Sequence, residues 1–196
     1  ESITLDAGAK SKSVTAKVNQ VYGNSLSING TSTQNTDPDE TVTFAIKVIN
    51  DEGNGKDTII FSQTSSGTDD WSFVFPGSVT LDKDESTEIS FSATPDINAL
   101  AGLKSISLFA TSEDGDTATS ITITVRVNKL PNLNVVKVGT SAQDVEAGKR
   151  VYYSFSVTNK GNAVDSFDLE IENGSWYDKG WEASLDSEEI SSLDVD

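Results

Sequence analysis

The chain has 196 residues, 35% of them hydrophobic, with 14 Lys and Arg against 31 Asp and Glu and a formal net charge of −17. A field of that sign repels nucleic acid and anionic membranes, so neither is an expected partner. Cys and His are both absent, which excludes a disulfide framework and removes the commonest general base and metal ligand.

The length suits one or two domains. The apolar set is rich in Val, Ile and Phe and the polar set in Ser and Thr, a composition that suits pleated, half-buried sheets. In chain order, alternating runs predict strands over 2–5, 13–18, 41–49, 58–62, 71–75, 78–81, 87–93, 104–110 and 120–127. Gly, Asp, Asn and Pro separate them, as turns require. Val42, Phe44, Ile46 and Val48 share one face, as do Ile121, Ile123, Val125 and Val127. One apolar and one polar face per strand predicts antiparallel sheets. The one helix-tolerant stretch, 96–101, is too short to form a helix of consequence. Pro131 closes this series, and a new alternating run opens at Leu133, so Lys129-Leu130-Pro131-Asn132 reads as an interdomain joint. No apolar run approaches the 18 residues of a membrane span. Glu1 reads as the start of a mature or excised segment whose signal has been removed.

The chain repeats itself. With one extra residue allowed in the first copy, Val48 aligns with Val157, Asn50 with Asn159, Gly53 with Gly161, Asn54 with Asn162 and Asp57 with Asp165. Trp71 and Trp181 follow, and 79–82 matches 190–194 more weakly. Asn159, Gly161 and Asn162 tolerate left-handed backbone angles, so the motif reads as a tight turn, with Asp165 a partner for loop amides.

The run Val157-Thr158-Asn159-Lys160-Gly161-Asn162 with Asp165 resembles immunoglobulin-like modules that accompany bacterial galactosidase and sialidase catalytic domains. So do 79–87, Pro95, Ala101-Gly102 and Ala110-Thr111-Ser112 of the first copy. The pattern is equally similar to repeats of archaeal surface-layer and adhesin-like proteins. The resemblance implies an all-β fold of tandem immunoglobulin-like antiparallel β-sandwiches. It divides the chain into an N-terminal strand segment (1–20), a first sandwich (21–129) and a second, incomplete one (131–196). The second copy holds about half the strands of the first, so a continuing chain or a strand donated by a neighbour is expected to complete it. The segment 2–18 is either the end of a preceding module or an extra or donor strand. Its residues 2–6 resemble 78–82, and 12–16 resemble 87–91.

No nucleophile constellation exists without His or Cys, and no carboxylate sits in a distinctive catalytic motif, so the chain is expected not to be an enzyme. Acidic turns offer the hard oxygens that Ca²⁺ prefers. Asp37, Asp39 and Glu40, Asp51 and Glu52, and Glu113, Asp114 and Asp116 are the candidate ligands, beside the turn at 82–85. Each also reads as an ordinary solvated turn, Asp114-Gly115 as the centre of a hairpin. If discrete sites exist, Ca²⁺ stabilises the fold beyond its ionic strength. Asn29-Gly30-Thr31 and Asn173-Gly174-Ser175 are glycosylation sequons, with Asn29 and Asn173 as acceptors. Trp176, Tyr177 and Trp181 could form an aromatic platform for glycans, although core or rim packing is the plainer use of a Trp.

The expected function is that of a non-catalytic structural module of an extracellular, cell-surface protein: a surface-layer lattice, filament or adhesin stalk. Its partners would be other copies of itself or neighbouring modules. The alternative is an accessory spacer or carbohydrate-binding module of a secreted glycosidase or protease.

Overall fold

Period-two alternation governs the chain from residue 42 to residue 127, and the backbone follows it. The computed structural model describes residues 2–8, 10–115, 117–172 and 179–196. One sheet holds four strands in the order β3 (Ser25–Asn29), β5 (Val42–Ile49), β9 (Ser86–Thr94), β7 (Ser72–Val74). The other holds five, in the order β4 (Thr33–Thr36), β11 (Ala118–Val127), β10 (Gly102–Thr111), β6 (Asp57–Ser65), β8 (Ser78–Leu81). Every pairing is antiparallel except β4 beside β11, which is parallel. The opening segment is thus divided between the two sheets: β3 pairs with β5, and β4, past Gly30, pairs with β11. The result is an immunoglobulin-like sandwich.

The inward residues of both sheets form one core. Phe44, Ile46 and Phe91 from the first sheet meet Ile59, Ile106, Leu108, Ile123 and Val125 from the second, all fully buried. Of the eight positions expected to face inward, Val42, Phe44, Ile46, Val48, Ile123, Val125 and Val127 are buried and Ile121 is half-buried. Thr43, one step out of phase with Phe44, is exposed and shares a 2.8 Å hydrogen bond with Ser92. Trp71 lies at the rim, stacked on Phe73 at 6.4 Å between ring centroids.

Two strands escape the sequence pattern. β3 and β4 are edge strands, rich in Ser, Asn, Gln and Thr and burying few side chains, so their alternation is faint. The stretch 96–101 forms a turn, in which Asn98 N–H donates to Asp96 Oδ1.

Two further regions flank the sandwich. β1 (Ser2–Ala7) and β2 (Lys10–Thr15) pair antiparallel in a two-stranded sheet of their own. This corrects the comparison of 2–6 and 12–16 with 78–82 and 87–91. Those segments form β8 and β9, which lie in different sheets and do not pair, whereas β1 and β2 are two arms of one hairpin. After the sandwich, β12 (Leu133–Val138) pairs with β13 (Ser154–Asn159), and β14 (Asp165–Asp168) with β15 (Glu189–Leu193). Registers match the first copy: Val135 opposes Val157 as Leu26 opposes Val48, and Asp165 opposes Leu193 as Asp57 opposes Leu81. Ser192, at φ 54°, sits where the β14–β15 register shifts and absorbs one extra residue. The chain is all-β, built on tandem immunoglobulin-like antiparallel layers. The apolar face of the C-terminal layers is open, with Phe155 57% and Val135 51% exposed.

Candidate functional site

The most organised polar constellation joins the sandwich to the C-terminal layers. The linker that leaves β11 runs Asn128-Lys129-Leu130-Pro131-Asn132, and Pro131 fixes its φ while removing one backbone donor. The turn between β13 and β14 closes on it through Asn162, which is 7% exposed. The Asn162 side-chain amide donates to Ala99 O (3.1 Å) and Asn128 O (2.9 Å), and its Oδ1 accepts Leu130 N–H at 2.8 Å. Its backbone carbonyl accepts Ala101 N–H (2.8 Å), and its own N–H donates to Leu130 O (3.3 Å). One residue therefore ties together the 96–101 turn, the linker and the β13–β14 turn. Each such bond contributes about 0.5–1.5 kcal/mol net, and five of them converge on this one buried residue.

Gly161 permits the approach. A Cβ there would lie 2.6 Å from Leu130 O and 3.1 Å from Asn132 N. None of Asn159, Gly161 and Asn162 has a positive φ, which corrects the expectation of left-handed turn residues. The asparagines act through their side-chain amides, and the glycine by having no side chain. Lys129 Nζ donates to Asp165 Oδ1 at 2.6 Å. That hydrogen bond, with a second from Ser166 N–H, holds the Asp165 carboxyl below its ordinary value. Lys160 does the same to Asp196 across 2.7 Å.

The first copy carries the same wiring. Asn50 Nδ2 donates to Gly55 O and Leu81 O as Asn159 Nδ2 donates to Ala163 O and Leu193 O. Asn54 donates through Nδ2 to Asn19 O and through its N–H to Val21 O, and its Oδ1 accepts Val21 N–H. These are the linker bonds of Asn162, displaced to the segment before β3. The aligned asparagines were legible in the sequence. Their partners were not, because a backbone carbonyl carries no side-chain signature.

A pH dependence follows from the Lys129–Asp165 pair. Its folded carboxyl value is lowered, so its contribution is present above the ordinary carboxylate range and lost as pH falls through the lowered value. Hydrogen exchange at Leu130, corrected for the intrinsic rate, is expected to accelerate below about pH 4. Lys129→Ala should abolish that acceleration, and the same response in both proteins would exclude the pair as its cause.

The expected metal ligands fall in separate turns, and three of them, Asp37, Asp51 and Asp114, accept hydrogen bonds from within the chain. Asp37 Oδ1 accepts from Asn128 Nδ2. Asp39 stands at φ 64° with its N–H on Pro95 O, and Glu40 N–H donates to Asp37 O. Asp51 Oδ2 accepts from Ser25 Oγ, and the backbone of Glu52 packs against Gly23. Glu113 N–H donates to the buried Asp57, and Asp114 accepts from Thr117. Among the described residues, no three acidic side chains come together in a metal-holding group; Asp116 lies outside them. Of the sequons, Asn29 is exposed at the end of β3, its Nδ2 on Glu88, while Asn173 lies outside the described residues. So do Trp176 and Tyr177; Trp181 is exposed. A small polar cleft beside Trp71 is lined by Gln63, Thr68 and Asp69.

No family model matches the chain, and no curated protein matches it. Among solved structures, it is similar over 54% of its length to a family 123 glycoside hydrolase from Clostridium perfringens, with 11% identity and a TM-score of 0.42, spanning 27% of that chain. A FixG-related protein from Vibrio parahaemolyticus matches over 54% of this chain and 95% of its own, at 13% identity and a TM-score of 0.42. The E. coli chaperone DraB matches over 88% of this chain and 83% of its own, at 14% identity and a TM-score of 0.37.

Proposed function

We propose that the chain is a non-catalytic structural segment of an extracellular cell-surface protein, in which immunoglobulin-like units stack end to end and set a fixed spacing. The observation that carries this reading is the Asn162 joint. Five hydrogen bonds on one buried residue, a glycine-permitted close approach and an ion pair connect the sandwich to the C-terminal layers. A flexible tether would show the opposite, an exposed Gly- and Ser-rich linker without cross-contacts. The net charge of −17 suits a hydrated surface that attracts cations. Surface-layer lattice, filament or adhesin stalk is the setting we infer, with other copies of this unit as neighbours.

Small-angle scattering of the 196-residue chain tests this. The wild type is expected to fit a single arrangement of sandwich and C-terminal layers. Asn162→Ala should broaden the distance distribution while circular dichroism stays unchanged. Wild-type data that demand a freely bending linker would sink the spacer role. A full-length gene in which this segment adjoins a catalytic domain would move the reading to an accessory spacer of a secreted enzyme.

A further inference from the structure

The hairpin β1–β2 matches another hairpin of the chain in both sequence and register. β1–β2 pairs Ser2 with Thr15, Ile3 with Val14 and Ala7 with Lys10. β10–β11 pairs Ser105 with Thr124, Ile106 with Ile123 and Ala110 with Thr119. Superposing these registers sets Ser2-Ile3-Thr4-Leu5-Asp6-Ala7 on Ser105-Ile106-Ser107-Leu108-Phe109-Ala110. The same superposition sets Val14-Thr15-Ala16-Lys17-Val18-Asn19-Gln20-Val21 on Ile123-Thr124-Val125-Arg126-Val127-Asn128-Lys129-Leu130 without a gap. The positions of Ile106, Leu108, Ala110, Ile123, Val125 and Val127, all buried in the sandwich, carry Ile3, Leu5, Ala7, Val14, Ala16 and Val18. The alternate positions carry Ser2, Thr4, Asp6, Ser13, Thr15 and Lys17, all polar. A one-residue slip would invert this pattern, so the agreement is informative. Lys12, in the place of Ile121, is the one departure. Val14, in β2, is 64% exposed and Val18, three residues past its end, 77% exposed, so both positions that correspond to core positions of β11 are uncovered.

A second observation lies at the opposite end of the same segment. Asn54 holds Asn19 and Val21 as Asn162 holds Asn128 and Leu130. The two further bonds of Asn162 go to Ala99 O and Ala101 N–H, in the turn that precedes β10. In the superposition, that turn belongs to the unit whose closing hairpin is β1–β2.

We propose that β1–β2 is the closing hairpin of another unit of this repeat, and that the remainder of the unit seats on the sandwich pole around Asn54 through a turn equivalent to Asp96–Ala101. The proposal rests on the stacking reading and extends it to a second joint. Strand donation in trans, with β1–β2 completing the C-terminal layers of another copy, fits less well. Among the described residues, those layers would gain counterparts of β10 and β11 but still have none of β9, the strand between β5 and β7.

The test is an extended chain in which a second copy of residues 21–104 precedes Ser2 and the tip 111–118 replaces Gly8 and Ala9. Hydrogen exchange of the β1–β2 amides is expected to slow at least about a thousandfold relative to the 196-residue chain, as core strands of a folded unit do. Val14→Asp should reverse the slowing, and Asn54→Ala should broaden the scattering of the new joint as Asn162→Ala does at the old one. A second protein exchanges the hairpins inside the existing sandwich, with 2–7 replacing 105–110 and 10–18 replacing 119–127. It is expected to unfold cooperatively. Unprotected β1–β2 amides in the extended chain, or failure of both proteins to fold, overturn the assignment. So does strong β1–β2 protection in the 196-residue chain that appears only in oligomers, the signature of strand donation. A rigid Asn162 joint with an unprotected hairpin would refute this proposal alone and leave the stacking reading standing.

Discussion

Phe44→Ala is expected to lower the unfolding free energy of the sandwich by about 3–5 kcal/mol, the usual loss for a buried aromatic. Phe44 is 1% exposed on β5, whose Phe44 opposes Phe91 on β9. Phe91 in turn touches Phe73 and Phe75, at 5.9 and 5.3 Å between centroids. Removing one ring from such a cluster leaves a void that neighbours held in two packed sheets cannot close. Thr43→Ala removes a hydroxyl on the wet face whose partner, Ser92, is a hydroxyl that water can satisfy, so its cost should stay within about 0.5 kcal/mol. Urea denaturation of both variants checks the pair. Comparable losses at the two positions would mean that the side-chain alternation of β5 is not what holds the sandwich together.

That same alternation made much of the fold legible. β5 and β11 each bury one face, and the period-two pattern of Val, Ile and Phe names the inward residues without further help. β3 and β4 were illegible for the complementary reason. An edge strand with one pairing partner buries little, so Gln34 and Asn35 carry no apolar signal although β4 pairs over its whole length with β11. The site was half legible. The spacing of Asn50, Gly53 and Asn54 against Asn159, Gly161 and Asn162 marked equivalent turns, but conformational tolerance was the wrong mechanism. The asparagine amides bind carbonyls that any residue could supply, and Ala99 and Ala101 give no hint that they receive a neighbouring unit. The closing hairpin shows the same limit from the other side. Ser2-Ile3-Thr4-Leu5 resembles several alternating runs, and only its pairing register with Lys12, Ser13, Val14 and Thr15 singles out β10–β11.

Asn50→Asp is expected to be the more damaging of two substitutions at one buried position, by a margin that depends on pH. Asn50 is fully buried, and its Nδ2 faces three carbonyls: Gly55 O at 2.9 Å, and Leu81 O and Asp82 O at 3.2 Å each. Its backbone is engaged as well, N–H to Glu85 O and O from Asp84 N–H, so the loop cannot easily swing the side chain out to water. Asn50→Ala leaves the carbonyls without their donor, a loss of about 1–3 kcal/mol. Asn50→Asp does that and also sets an anion against the same carbonyl oxygens, an uncompensated buried charge that costs about 3–5 kcal/mol. The introduced carboxyl therefore has a folded value raised above the ordinary aspartate value of about 3.9. With the folded value raised, the extra penalty is absent below the unfolded value and grows as pH rises through the folded one. In the protonated form the group donates one hydrogen bond where the amide donated several, so near pH 3.5 the two variants should converge. Measuring both by urea denaturation at pH 7 and at pH 3.5 removes the titration of every other carboxylate, which is common to the pair. A gap that stays constant between the two pH values would show that no carbonyl cage confronts the introduced charge, and that the Asn50 amide does not close this turn.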